Sequence, residues 1–274
     1  MPTPNHHPRS ESGQVHHGRI ELEHGPLSFA SLGQGMPVVL LHQTPRSWDE
    51  YRDVMPLLGA RGYRAIAFDT PGFGASAPVP GDPTIERWAS AISSALDWLS
   101  LHSLALVGHH TGGVIAVELA AQRPERISSL VLSSTPLTDS DYRDRPPDES
   151  GVDDAQDAEG LRRSRASFYP ADCPDLLDRY VRDAVRAGPL ARLGHHVVGS
   201  YEMDDRVTCL RMPVLLIGAD RDPYAFGQLE RLHAALPHAE TAVISGGMVP
   251  LPDGWPERFS DCVAGFLDRS LVRD

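Results

Sequence analysis

The most constraining stretch of the chain is Leu104-Ala-Leu-Val-Gly-His-His-Thr-Gly-Gly-Val-Ile, residues 104–115. Its first half is continuously apolar, as strands buried on both faces are. A helical pattern over Gly112–Gln122 follows with no room for a loop. A junction this short must turn sharply. It needs glycine two residues before and two after its middle residue, because a larger side chain there would drive the strand into the helix. Gly108 and Gly112 hold those positions and His110 stands between them. The middle residue of such an elbow is held exposed at the carboxyl end of the strand, often at positive φ, which His tolerates better than most residues.

The same alternation runs through the chain. Strand patterns cover Arg19–Glu23, Leu27–Ser31, Pro37–His42, Tyr63–Asp69, Leu104–Gly108, Ser129–Ser133, Pro213–Gly218 and Glu240–Ser245. Helical patterns cover Trp48–Arg61, Thr84–Ser100, Gly112–Gln122, Tyr224–Leu236 and Pro256–Leu271. This order specifies an α/β fold, a mainly parallel sheet of about eight strands with helices on both faces. The interval from Ser134 to Pro213 lacks any strand pattern. It opens on an acidic approach with nine carboxylates against two Arg over 139–160, then turns helical over Gly160–Ser167 and Pro174–Arg186. That spacing predicts a helical lid over 136–208, inserted between core segments 1–135 and 209–274, with residues 1–16 as a flexible tail.

Composition removes several functions. All 25 basic residues are Arg, so a Schiff-base lysine, a pyridoxal-phosphate lysine and a phosphate-loop GK[ST] are excluded. A formal charge of −12 argues against nucleic acid or an anionic membrane as partner. Cys173, Cys209 and Cys262 are odd in number and far apart, which fits neither a disulfide framework nor a zinc site. No signal-type apolar segment or spanning run is present, and the cytoplasm is the expected compartment.

Four further motifs, with the elbow, carry a resemblance. Leu40-Leu-His-Gln-Thr-Pro-Arg-Ser-Trp-Asp-Glu-Tyr51, Asp69-Thr-Pro-Gly-Phe-Gly-Ala-Ser76, the elbow, Leu215-Leu-Ile-Gly-Ala-Asp-Arg-Asp-Pro223 and Gly246-Gly-Met-Val-Pro-Leu-Pro-Asp-Gly-Trp-Pro-Glu-Arg-Phe259 follow one another in order. Together they resemble the α/β-hydrolase fold in its lid-bearing form, which includes esterases, carbon–carbon bond hydrolases, haloalkane dehalogenases and epoxide hydrolases. Gly72-Phe-Gly-Ala-Ser-Ala77 also fits a dinucleotide-binding G-x-G-x-x-A, but Pro78 and Pro80 forbid the helix that motif must open.

The resemblance implies a catalytic residue at each landmark, and this chain departs at two of them. The elbow residue, elsewhere Ser, Cys or Asp, is His110. The acid after the seventh strand is Asp222. The position of the family's catalytic His is Met248, and no His follows His238. The backbone N–H groups of Thr44 and Thr111 are the implied oxyanion hole, with Gln43 bringing a side-chain amide nearby. Substrate-pocket candidates are His42, Gln43, Trp48, Phe73, His195, His196 and Tyr224. His109 is expected to bond under the elbow. No metal and no cofactor is expected.

With no hydroxyl or thiol at the elbow and no His to activate one, a Ser acyl-enzyme is excluded. An imidazole beside two N–H donors is equipped for acid–base chemistry on a small, largely apolar carbonyl compound. The reaction expected is that of a lyase, isomerase or cyclase, in a biosynthetic setting. The alternatives are a hydrolase of esters or carbon–carbon bonds in which His110 activates water, and a catalytically silent ligand-binding homologue.

Overall fold

The alternating chain folds around one eight-stranded sheet, described by a computed structural model over residues 13–144 and 157–271. Strands β1 (His16–Leu22) and β2 (Gly25–Leu32) form an antiparallel hairpin at one edge. Strands β3 (Met36–Leu41), β4 (Tyr63–Phe68), β5 (Leu104–His109), β6 (Ile127–Ser133), β7 (Val214–Ala219) and β8 (Glu240–Ile244) run parallel to one another. Their spatial order is β1-β2-β4-β3-β5-β6-β7-β8. The chain leaves β3 toward β4 on one side and later returns to β5 on the other. The carboxyl ends of β3 and β5 therefore flank a reversal of strand order, where open α/β sheets place their ligand crevice.

Period-two alternation feeds both faces of the sheet. Val39, Leu41, Leu106 and Leu132 pack with Trp88 and Ile92 of α2 (Ile85–Trp98) and Ile115 of α3 (Thr111–Gln122). Val38, Leu40, Val107 and Ile217 pack on the opposite face with Met55 of α1 (Val54–Ala60) and Phe259 of α11 (Pro256–Leu271). Between β6 and β7 lie α4 (Ser140–Arg143), α5 (Ala158–Arg165), α6 (Pro174–Ala187), α7 (Pro189–Ser200) and α8 (Asp204–Val207). The segment before β8 holds α9 (Gln228–Ala235), and that after it holds α10 (Leu251–Gly254).

Several elements differ from the sequence expectation. His16, at the end of the expected tail, belongs to β1, while residues 1–12 lie outside the described residues, as does the 145–156 part of the acidic approach. The helix expected over Trp48–Arg61 is broken into a 3₁₀ turn (Trp48–Tyr51) and α1. Pro56 explains the break, since its ring would collide with the carbonyl of Arg52 in a continuous helix. The helix expected from Tyr224 starts only at Gln228, because the Asp222 carboxylate takes the N–H groups of Tyr224 and Ala225 into a turn. Helix α7 was not evident in the sequence, where Gly194, Gly199 and two adjacent histidines obscure its period.

The inserted helices meet the core in two ways. Helices α5 and α6 share a small apolar cluster of their own, built on Leu161, Tyr169, Leu176, Tyr180 and Val181. Toward the core, α6 presents charge: Arg179 pairs with Asp53 at 2.9 Å, Arg182 with Asp49 at 2.6 Å, and Asp183 accepts from the Ser47 hydroxyl at 3.0 Å. Among the described residues no helix is long and apolar enough to cross a membrane.

Candidate active site

The elbow forms as its glycines require. A side chain on Gly108 would overlap the backbone of Gly112, and one on Gly112 would overlap the carbonyl of Leu41. Between them His110 sits at φ 46°, ψ −114°, in the left-handed region, with its N–H bonded to the Ser133 carbonyl at 3.0 Å. Its side chain is 16% exposed. His110 Nε2 lies 2.7 Å from Oδ2 of Asp222, so the carboxylate reaches the elbow directly. A carboxylate only accepts, so Nε2 donates, and in the neutral tautomer this leaves the lone pair on Nδ1. Burial pushes the Asp222 carboxyl up. The facing His110 and the Tyr224 N–H outweigh that, and hold it below the usual carboxylate range.

The loop after β3 closes the other side. Thr44 donates its N–H to Thr111 Oγ1 at 3.3 Å, and Thr111 opens α3, so its own N–H has no intrahelical acceptor. The expected amide of Gln43 is turned away: its Nε2 donates to Glu50 Oε1 at 2.7 Å, and its N–H donates to Glu50 Oε2 at 2.8 Å. His42 is also fully engaged. Nδ1 donates to the Gln43 carbonyl at 2.8 Å, and Nε2 accepts the Thr70 N–H at 2.9 Å. Burial lowers its pKa to about 4, keeping it neutral. Both pocket candidates are thus tie points of the loop.

The remaining candidates spread out. His109 is buried under the elbow as expected. Nε2 donates to the Val249 carbonyl at 2.9 Å, Nδ1 accepts from the Ser133 hydroxyl at 3.0 Å, and burial, with His110 beside it, lowers its pKa to about 3. Its ring stands edge-on to His110 with centroids 4.7 Å apart. Met248 is half-buried in the loop after β8, next to that Val249 carbonyl. Tyr224 follows Asp222 and meets Phe168 of the insertion at 5.0 Å. Phe73 belongs to the core, wedged between His42 and Trp88. Trp48 stacks edge-on to His17 of β1, on the α1 and α11 face. His195 is half-buried and His196 exposed on α7. The structure therefore joins His110, Asp222, Thr44 and Thr111, with Tyr224 alongside and Phe73 next to Thr44 under Gly194 of α7, and leaves Trp48 apart on the α1 and α11 face. Among the described residues no three His, Cys, Asp or Glu side chains are grouped to hold a metal.

Residues 36–187 match the family model for the alpha/beta hydrolase fold. The chain belongs to that family. A haloalkane dehalogenase of Psychrobacter cryohalolentis is 30% identical over 167 residues, 60% of this chain and 49% of that protein. A 2-hydroxy-6-oxo-2,4-heptadienoate hydrolase of Pseudomonas putida is 36% identical over 120 residues, 42% of this chain and 43% of its own. The matches span less than half the length of these curated relatives. A thermophilic esterase from Thermogutta terrifontis superposes with a TM-score of 0.79 at 20% identity, covering 93% of this chain and 99% of that one.

Within this alpha/beta hydrolase, sequence reasoning missed a buried charge cluster beside the site. Arg46 is fully buried and pairs with Asp253 of α10 at 2.9 Å, Asp183 of α6 at 3.6 Å and Asp49 at 3.8 Å. Glu50 and Asp253 are both pushed above the usual carboxylate range, by burial first, against the pull of Arg46. The one sequence signal was three charged residues, Arg46, Asp49 and Glu50, in a short turn between two core elements. Ser134, which with Thr111 is the neighbouring hydroxyl that could stand in for the absent nucleophile, sits at φ 43° just past the carboxyl end of β6, and its buried hydroxyl meets no partner among the described residues.

Proposed function

We propose that this alpha/beta hydrolase is an enzyme that acts on a small, largely apolar carbonyl compound through acid–base chemistry at His110. The 2.7 Å contact between His110 Nε2 and Asp222 carries the reading. The carboxylate orients the imidazole and stabilises its protonated form, so the elbow residue acquires the partner that a base needs. His110 follows β5 at the strand-order reversal, Asp222 reaches it from the loop after β7, and Thr44 and Thr111 stand on the β3 side. A proton next to the substrate carbonyl passes to Nδ1, and the electron pair moves onto the carbonyl oxygen, where the hole stabilises the charge. Return of the proton to another atom isomerises the substrate; loss of a leaving group makes the step an elimination. No acyl-enzyme forms. The insertion over 136–208 serves as the lid, and the reaction calls on no cofactor, nucleic acid or membrane and takes place in the cytoplasm.

The hydrolase names of the relatives favour a second reading, in which the same base deprotonates water for attack on an ester or carbon–carbon bond. Reaction in ¹⁸O-labelled water made with D₂O separates the two. Isomerisation with proton return from solvent places deuterium on carbon, elimination places none, and neither puts ¹⁸O in the product, whereas hydrolysis must place ¹⁸O in the product acid. Turnover that survives His110→Ala would sink both readings. A purified protein that retains a ligand tightly and never turns over would instead be a binding homologue.

A further inference from the structure

We infer that the hydroxyl of Thr111, and not the N–H of Thr44, is the donor that holds the reacting oxygen, so that the hole consists of one O–H and one N–H. This rests on the general-base reading and deepens it.

The Gln43–Thr44 peptide is clamped. Its carbonyl oxygen accepts from His42 Nδ1 at 2.8 Å and from the Arg46 N–H at 2.8 Å. The N–H and side-chain amide of Gln43 both end on Glu50. A planar peptide aims its N–H opposite to its C=O, so fixing one fixes the other. The fixed Thr44 N–H ends on Thr111 Oγ1 at 3.3 Å. That donor is thereby already spent inside the protein.

The Thr111 hydroxyl is the group left over. It has one proton to give and two positions to accept. It accepts from Thr44, and among the described residues no protein acceptor takes its proton. The residue is 5% exposed and directly follows His110, so an undonated hydroxyl stands next to the base in a nearly dry site. Leaving a buried donor unmatched is unfavourable, which makes a ligand oxygen its natural partner. The Thr44 N–H polarises the hydroxyl it donates to, and a polarised hydroxyl is a stronger donor toward an oxygen that gains charge. Thr111 then offers two groups to one oxygen, its side-chain O–H and its backbone N–H at the start of α3, which has no intrahelical acceptor. The ligand class that fits is a planar oxygen anion, such as an enolate or a carboxylate.

The opposing view is that the hydroxyl plugs the hole and substrate must displace it. The two views give opposite results for Thr111→Ala, which deletes the hydroxyl and frees the Thr44 N–H. Binding of benzoate, a planar oxygen anion, is measured calorimetrically on the full chain for wild type, Thr111→Ser, Thr111→Val and Thr111→Ala, with thermal melts to confirm folding. The expected result is binding within about twofold for Thr111→Ser, and about ten- to a hundredfold weaker for Thr111→Ala and Thr111→Val, the loss of one hydrogen bond to a charged group. Thr111→Ala that binds benzoate as tightly as wild type, or more tightly, overturns the inference. So does a wild type that ignores millimolar benzoate. The series needs no turnover, so its outcome is separate from that of the general-base reading. His110→Ala that loses turnover while its benzoate affinity still depends on Thr111 supports both, and His110→Ala that stays active removes only the general base.

Discussion

Replacing Arg46 with Met probes the buried cluster that underlies the site. The substitution keeps much of the side-chain volume and deletes the guanidinium around which the buried Asp49, Glu50, Asp183 and Asp253 are arranged. Removing one partner of a buried pair costs about 3–5 kcal/mol, because the other charge stays behind without compensation. Asp253, at 2.9 Å, supplies most of that loss, and Asp183 and Asp49 supply less at 3.6 and 3.8 Å. At about 2–4 °C per kcal/mol for a domain of this size, the melting temperature should fall by about 6–20 °C. The deficit should also depend on pH. Without Arg46 the buried carboxyls bind protons more tightly folded than unfolded. Such groups contribute stability fully below their unfolded range near ~4, and lose it as pH rises through the folded value. The deficit should therefore be larger at pH 8 than at pH 5.5, growing by about 1.4 kcal/mol per pH unit for each extra proton the folded state holds. Urea titrations of both proteins at the two pH values measure this. A deficit below about 1 kcal/mol at pH 8, or one equal at both pH values, would refute the argument.

Two further predictions concern the elbow. Asp222→Asn keeps the shape but removes the charge facing His110; turnover at pH 7.5 should drop about 10²- to 10⁴-fold with little change in KM. The Asp222 carboxyl is held low in the folded state, so its contribution to stability is present above the unfolded value and fades as pH falls through the folded one. Melting curves of wild type and Asp222→Asn should accordingly converge in acid, and parallel curves would speak against the pairing. Gly112→Ala places a methyl group on the Leu41 carbonyl, a backbone atom that cannot yield. It should cost at least about 3 kcal/mol by urea midpoint or prevent soluble expression, and a near-normal midpoint would disprove the packing.

Most of the sheet was legible because its strands are apolar on both faces, and two close-packed layers leave such runs no other place. Val38 to Leu41 shows this well: alternate residues serve opposite cores. The elbow was legible for a different reason, since steric need at Gly108 and Gly112 depends on backbone alone. What escaped notice depends on contacts distant in sequence. Arg46 reads as a solvated loop charge until Asp183 and Asp253, more than 130 residues away, are seen to surround it. Gln43 reads as a donor for the hole until Glu50 takes its amide. Position alone assigned His110 and Asp222 to the site, but only the fold showed that they touch without a third residue between them.

The way α5 and α6 are attached bears on how such a protein can diverge. Many of their apolar residues pack within the pair, Phe168 and Leu176 also reach Tyr224 and Gly254 of the body, and α6 adds charges on one face. The cluster shares no core residue with the two layers on the sheet, although Tyr169 lies against the charges around Arg46. A lineage can therefore reshape this pair of helices while the dyad stays in register, provided that Arg179, Arg182 and Asp183 keep their partners. Those three side chains, with the Phe168 and Leu176 contacts, are the joint at which this part of the molecule could be exchanged for another.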